Sequence, residues 1–95
     1  MGSTFENLLY LEFVKQGYEI YYYNKDFECD FICKKDNQLI AVQVCYELTP
    51  HNRDRELNGL KKLKIDTTKK LLITYNQNEK SEDNIEIIAF WDYFS

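Results

Sequence analysis

Proline occurs once and glycine three times in these 95 residues. That scarcity excludes a collagen-like or low-complexity chain. No apolar run approaches the roughly 20 residues that a membrane-spanning helix needs. The phosphate-binding pattern Gly-x-x-x-x-Gly-Lys-Ser/Thr is missing, so the chain cannot hold ATP by that device. Met1-Gly2 begins like a myristoylation signal, but Glu6 stands where serine or threonine is required. Zinc motifs are thin as well: Cys29 and Cys33 are spaced C-x₃-C, with only Cys45 and His51 to add, whereas zinc takes four ligands. An odd number of cysteines in apolar runs, with no secretory segment ahead of them, reads as buried free thiols in a reducing cytoplasm.

What is present is apolar and aromatic. Hydrophobic residues make up 44% of the chain, and it carries eight Tyr, six Phe and one Trp, which excludes a disordered polymer. The length fits one domain, residues 1–95, with a small core. Residues 1–4 belong either to the natural chain or to a leftover of cloning. The net charge is −4, a poor balance for nucleic-acid binding, where phosphate neutralisation dominates affinity. The charge is nevertheless uneven: residues 53–70 hold seven bases against three acids. Arg53, Arg55, Lys61, Lys62 and Lys64 therefore form either a solvated helix face or a patch for phosphate or an acidic partner. His51, just after Pro50, reads as an exposed residue at a helix start.

Hydrophobic periodicity organises the chain. Ser3-x-x-Glu6 reads as a capping box. Phe5, Leu8, Leu9, Leu11, Phe13 and Val14 then give a helix over 4–16, ended by Gly17. On that helix Glu12 projects near the middle of the apolar stripe and Glu6 at its edge. Residues 18–23 are strongly β-prone. After a turn at 24–26, residues 27–34 alternate, with Asp30 in mid-strand. Residues 35–37 make a second turn. Leu39 to Tyr46 is almost continuously apolar, as a strand buried on both faces should be, and Gln43 interrupts it. Thr49-Pro50 opens a helix over 51–65 with Leu57, Leu60 and Leu63 on one stripe. A strand over 70–75, a polar loop over 76–83, a strand over 85–90 and a short terminal turn complete the order. A right-handed crossover through the second helix is expected, giving a mixed sheet of four or five strands flanked by helices.

Asp30 and Gln43, taken with a glutamate of the first helix, resemble the frame of the PD-(D/E)XK nuclease superfamily. The resemblance implies a restriction-endonuclease-like αβββαβ core plus a C-terminal strand, an α/β fold with a small mixed sheet between two helices. In that superfamily acids on the first helix and second strand, with Glu-x-Lys on the third, hold Mg²⁺ and activate water. The chain is more closely similar to the DUF4143-type C-terminal domain of bacterial and archaeal P-loop ATPases. That likeness is carried by Phe5-Glu6-Asn7-Leu8, Leu11-Glu12-Phe13, Gly17 to Tyr23, Glu28-Cys29-Asp30-Phe31-Ile32, Gln43-Val44-Cys45-Tyr46, Arg53 to Leu57 and Ile88 to Phe94. It spans nearly the whole chain, and it implies a longer natural protein whose motor lies before Phe5.

The departure from the pattern matters as much as the match. Where an active nuclease has Glu-x-Lys, this chain has Gln43-Val44-Cys45. A neutral amide binds Mg²⁺ far more weakly than a carboxylate, and Cys45 cannot supply the lysine's charge. The expected site is thus Glu6, Asp30 and Gln43, degenerate, with Asp30 as a weak metal ligand at most. The implied function is a catalytically silent accessory domain that binds nucleic acid or the ATPase domain of its parent chain. Two alternatives stand beside it. One is a surviving nuclease, with Mg²⁺ as its cofactor and Glu6 or Glu12 as its helix acid. The other is a purely protein-binding domain. Simpler roles also stay open: Glu6 as the capping acid, Asp30 bonding backbone amides, Gln43 as a satisfied core amide. The aromatic strands leave a homodimer open through sheet edges, no membrane association is expected, and the expected compartment is the cytoplasm.

Overall fold

A computed structural model describes residues 4–22, 30–63 and 66–95 of the chain. Three helices and six strands follow in order: α1 (Thr4–Lys15), β1 (Glu19–Tyr22), β2 (Phe31–Lys35), β3 (Gln38–Val44), α2 (Arg53–Lys61), β4 (Lys69–Thr74), β5 (Glu79–Glu82), β6 (Ile85–Ala89) and α3 (Phe90–Tyr93). The strands form one mixed α/β sheet in the order β1-β2-β3-β4-β6-β5. Strands β1, β2 and β3 pair antiparallel. Strands β3, β4 and β6 run parallel to one another, and β5 pairs antiparallel with β6. No helix among the described residues is long and apolar enough to cross a membrane.

Both faces of the sheet are covered, because successive strand side chains point to opposite faces. Ile32, Ala41, Cys45, Leu72, Ile85 and Ile87 pack with Leu57, Leu60 and Leu63 around α2. Phe31, Cys33, Ile40, Val42, Leu71 and Ile73 pack with Phe5, Leu9 and Phe13 of α1 and with Phe90. Cys33 and Cys45 are buried free thiols, as expected. The stripe of α1 is narrower than its periodicity suggests. Phe5, Leu9 and Phe13 face the sheet, whereas Leu8, Leu11 and Val14 are exposed. On α1 only the four-residue series Phe5, Leu9 and Phe13 lies on the buried line.

Four further expectations change. Residues 76–83 are not only a loop: β5 forms within them. Its Glu-Lys-Ser-Glu sequence lacks apolar alternation because an edge strand needs a backbone ladder on one side only. Asp83 (φ 52°) and Asn84 (φ 66°) make the tight turn into β6, the conformation that a two-residue hairpin favours. The sheet consequently has six strands, not four or five. Helix α2 is shorter than 51–65. Thr49 and Asn52 exchange side-chain-to-backbone hydrogen bonds ahead of it, the Thr49 N–H donating to Asn52 Oδ1 at 2.8 Å and the Asn52 N–H to Thr49 Oγ1 at 3.3 Å. Asp30 lies just before β2 rather than inside a strand, though its N–H still donates to the Val42 carbonyl at 3.0 Å. The Ser3 cap, the turn at 24–26, residues 27–29 and Ile65 fall outside the described residues.

Gly17 closes α1 as its place in the sequence suggests. Its φ is +94°. The Gly17 N–H donates to the Val14 carbonyl at 2.9 Å and the Tyr18 N–H to the Phe13 carbonyl at 3.1 Å, the paired bonds of a glycine-terminated helix. A Cβ there would meet nothing nearer than Lys35 Cε at 3.6 Å, so the backbone conformation, not space, requires glycine. Gly17→Ala is expected to lower stability by about 1 kcal/mol, read as a shift in the urea midpoint at unchanged slope. No shift would mean that the helix end relaxes freely.

Candidate functional site

Gln43 sits in the middle of the sheet on the face that α2 covers, with 7% of its surface exposed. A buried amide needs partners for both its ends. Its Nε2 donates to Glu56 Oε1 of α2 at 2.8 Å. Its Oε1 is buried without a hydrogen-bond partner. Next to it, Asp30 Oδ2 accepts the Val44 N–H at 2.8 Å. That amide lies two residues past the last β2–β3 pair, Phe31 with Val42, so the Asp30 side chain replaces a strand partner.

Of the expected residues, Asp30 lies across from Gln43 at the β2–β3 end and forms a side-chain hydrogen bond with Glu6 of α1, whereas the partner of Gln43 is Glu56. Burial, more than any other effect, raises the Asp30 carboxyl, to about 6. The Val44 amide opposes the rise, while the charges of Glu6 and Glu56 and a side-chain hydrogen bond with Glu6 add to it. Cys45, two residues after Gln43 on the same face, is a neutral thiol. Burial raises it to about 11, with the Glu56 charge adding to the effect, and its Sγ donates to the Glu47 carbonyl at 3.3 Å. Among the described residues, no three His, Cys, Asp or Glu side chains come together as a metal-holding group.

Glu56 is the member that the sequence reading passed over. Its signal was its place on α2: with Leu60 and Leu63 it continues one stripe at four- and seven-residue steps, and an acid on a buried stripe requires a partner. Glu12, the other glutamate considered, stays apart and accepts a bond from Lys15 Nζ at 3.4 Å. His51 is exposed in the turn before α2.

The basic segment also has partners that its sequence did not disclose. Arg53 reaches Glu79 at 2.6 Å and Glu82 at 3.0 Å. Lys61 lies 3.2 Å from both Glu82 and Asp83. These pairs hold Arg53 and Lys61 above their ordinary pKa and Glu82 below its own, through hydrogen bonds first and charge second. Arg55 contacts Glu56 at 3.3 Å. Lys62 is exposed, and Lys64 lies outside the described residues.

The model of the family described as "Domain of unknown function (DUF4143)" matches residues 1–93. The chain belongs to this family. An uncharacterised protein of Methanocaldococcus jannaschii is 33% identical over 108 residues, covering 97% of this chain and 24% of that protein. An uncharacterised protein of Haemophilus influenzae is 37% identical over 94 residues, covering 97% of this chain and 23% of that protein. The chain thus spans about a quarter of the length of the curated relatives it matches. No solved structure matches it.

Asp30 of this DUF4143 domain has a pH signature. With its folded pKa raised, Asp30 keeps a proton that the unfolded chain has already lost between about pH 4 and pH 6. Its contribution to stability is full below that window and falls as pH rises through it. Asp30→Asn keeps an acceptor for Val44 and removes the titration. The variant is expected to match the parent near pH 4 and to exceed it at pH 7.5 by about 1–2 kcal/mol, after allowance for solvent screening. Urea unfolding at both pH values checks this, and a difference that does not change with pH overturns it.

Proposed function

We propose that this domain is a catalytically silent, nuclease-like accessory module of a longer P-loop ATPase polypeptide, acting by binding rather than by bond cleavage. One observation carries the reading: the groups at the nuclease-like positions are engaged with the protein itself. Asp30 holds the Val44 amide, Gln43 holds Glu56, and Cys45 brings a protonated thiol where the chemistry needs a cation. A general base or metal ligand has to be free to change partners during the reaction. The extent of the chain, about a quarter of its curated relatives' length, supports the accessory role.

Protein is the better supported partner than nucleic acid. Arg53 and Lys61, the strongest candidates for phosphate contact, are matched by Glu79, Glu82 and Asp83 of the β5 hairpin. A phosphate backbone would have to displace those carboxylates. A surviving Mg²⁺ nuclease is the second reading, favoured by the Glu6 and Glu56 charges that act on Asp30 and by the partnerless Gln43 Oε1.

A Mn²⁺ titration followed by paramagnetic broadening separates the two. The silent module is expected to show no selective broadening around Asp30 and Gln43, and no Mg²⁺- or Mn²⁺-dependent cleavage of single- or double-stranded DNA or RNA. Broadening at sub-millimolar metal, with cleavage abolished by Asp30→Ala, would overturn it.

A further inference from the structure

Strands β3, β4 and β6 run the same way, and each is followed at its carboxyl end by an aromatic side chain: Tyr46, Tyr75 and Trp91. These rings form one continuous shelf. Tyr46 and Tyr75 stack with centroids 4.7 Å apart and 22° between planes. Trp91 meets Tyr75 edge-on at 5.7 Å. Phe5 lies against Tyr46 and Tyr75, at 5.6 and 5.9 Å. Core packing does not account for the shelf's outer members, because Tyr46 is 59% and Trp91 52% exposed. Beside Trp91 an open hollow of about 360 Å³ is lined by Glu12, Phe90, Phe94 and Ser95 as well. Acids at this end include Glu6, which follows Phe5 in the chain and bonds Asp30, Glu12 in the hollow and Asp92, which accepts a bond from Asn78 at 2.6 Å.

We infer that this shelf and hollow dock a lysine or arginine side chain from a basic segment of a partner polypeptide. The inference rests on the reading of the domain as a binding module and names the chemistry of its partner. Exposed aromatic faces beside carboxylates attract cations, since the ring quadrupole and the acid pull in the same direction. The carboxyl ends of parallel strands are also where open α/β sheets take their ligands. A nucleic acid stacking on the same rings would bring its phosphates against Glu6, Glu12 and Asp92. The chain uses this pairing within itself, with Lys35 Nζ 5.2 Å from the Tyr18 ring centroid and Lys69 Nζ 5.9 Å from that of Tyr93. In the free domain the Glu12 carboxylate is held by Lys15, whose side chain is 74% exposed, so a partner's cation displaces only a surface ion pair.

Trp91 is the only tryptophan in the chain, so its fluorescence reports on the shelf directly. The probe is a short peptide alternating glycine with arginine and lysine. A saturable change in Trp91 emission is expected, weakening as salt is raised from about 50 to about 300 mM. Tyr46→Leu keeps apolar bulk over Phe5 and removes the π face; Glu12→Gln keeps shape and removes charge. Each is expected to weaken binding at least about threefold, with circular dichroism unchanged, while an acidic peptide of the same length gives no response. The inference fails if the basic peptide does not saturate at millimolar concentration, if neither variant weakens it, or if a single-stranded oligonucleotide binds the shelf more tightly. Metal-dependent cleavage alongside peptide binding would overturn the silent-module reading and leave the shelf standing. No peptide binding and no cleavage would leave a silent module without this partner.

Discussion

A sheet covered on both faces tolerates apolar side chains and paired backbone; anything polar has to bring its own partner. Near the carboxyl end of β3, Gln43 breaks that condition, and the surrounding structure follows from how it is accommodated. Its amide nitrogen binds Glu56, which draws a carboxylate of α2 toward the sheet and ties the helix to the strand it crosses over. Glu56 in turn adds to the rise in the pKa of Asp30. Asp30 cannot move away, because its side chain closes the end of β3 by taking the Val44 amide. The result is that Asp30 and Gln43 are both engaged with other groups of the domain.

The β5 edge and the carboxyl end of the parallel strands illustrate a second constraint. An edge strand exposes unpaired backbone and invites association. The β5 edge is charged, and its acids reach back to Arg53 and Lys61 of α2. Surface ion pairs are each worth little, about 0.2–1 kcal/mol. Here they form a small network that joins the last hairpin to the second helix and cancels much of the basic segment's charge. The parallel end of the sheet follows the opposite rule. Its aromatics, Tyr46 and Trp91, stay exposed.

Element type was largely legible because periodicity is a direct consequence of burial. Alternating residues around Phe31–Cys33, the continuous apolar run of β3 and the spacing of Leu57 and Leu60 each correspond to one face or two faces covered. Strand β5 was illegible for the same reason: with no face buried, Glu79 to Glu82 carry no pattern. The width of the α1 stripe was overstated because an exposed leucine and a buried one read alike in sequence. Glu6, Asp30 and Gln43 stood out as polar residues near apolar runs. Glu56 did not, since it lies among charged neighbours in the segment 53–56.

By itself, then, the sequence determined the order of the main elements, the glycine that ends α1, the placement of Gln43 in a central strand and the lack of the Glu-x-Lys pair. These are local properties, set by side-chain period, backbone freedom and residue chemistry. The tertiary structure alone decided that Glu56 meets Gln43, that the basic segment is neutralised from the β5 hairpin, and that Tyr46, Tyr75 and Trp91 line up at one end of the sheet. Each of those joins residues from different elements. Their proximity depends on strand order and parallel direction, which pairing across the sheet settles and no local pattern encodes.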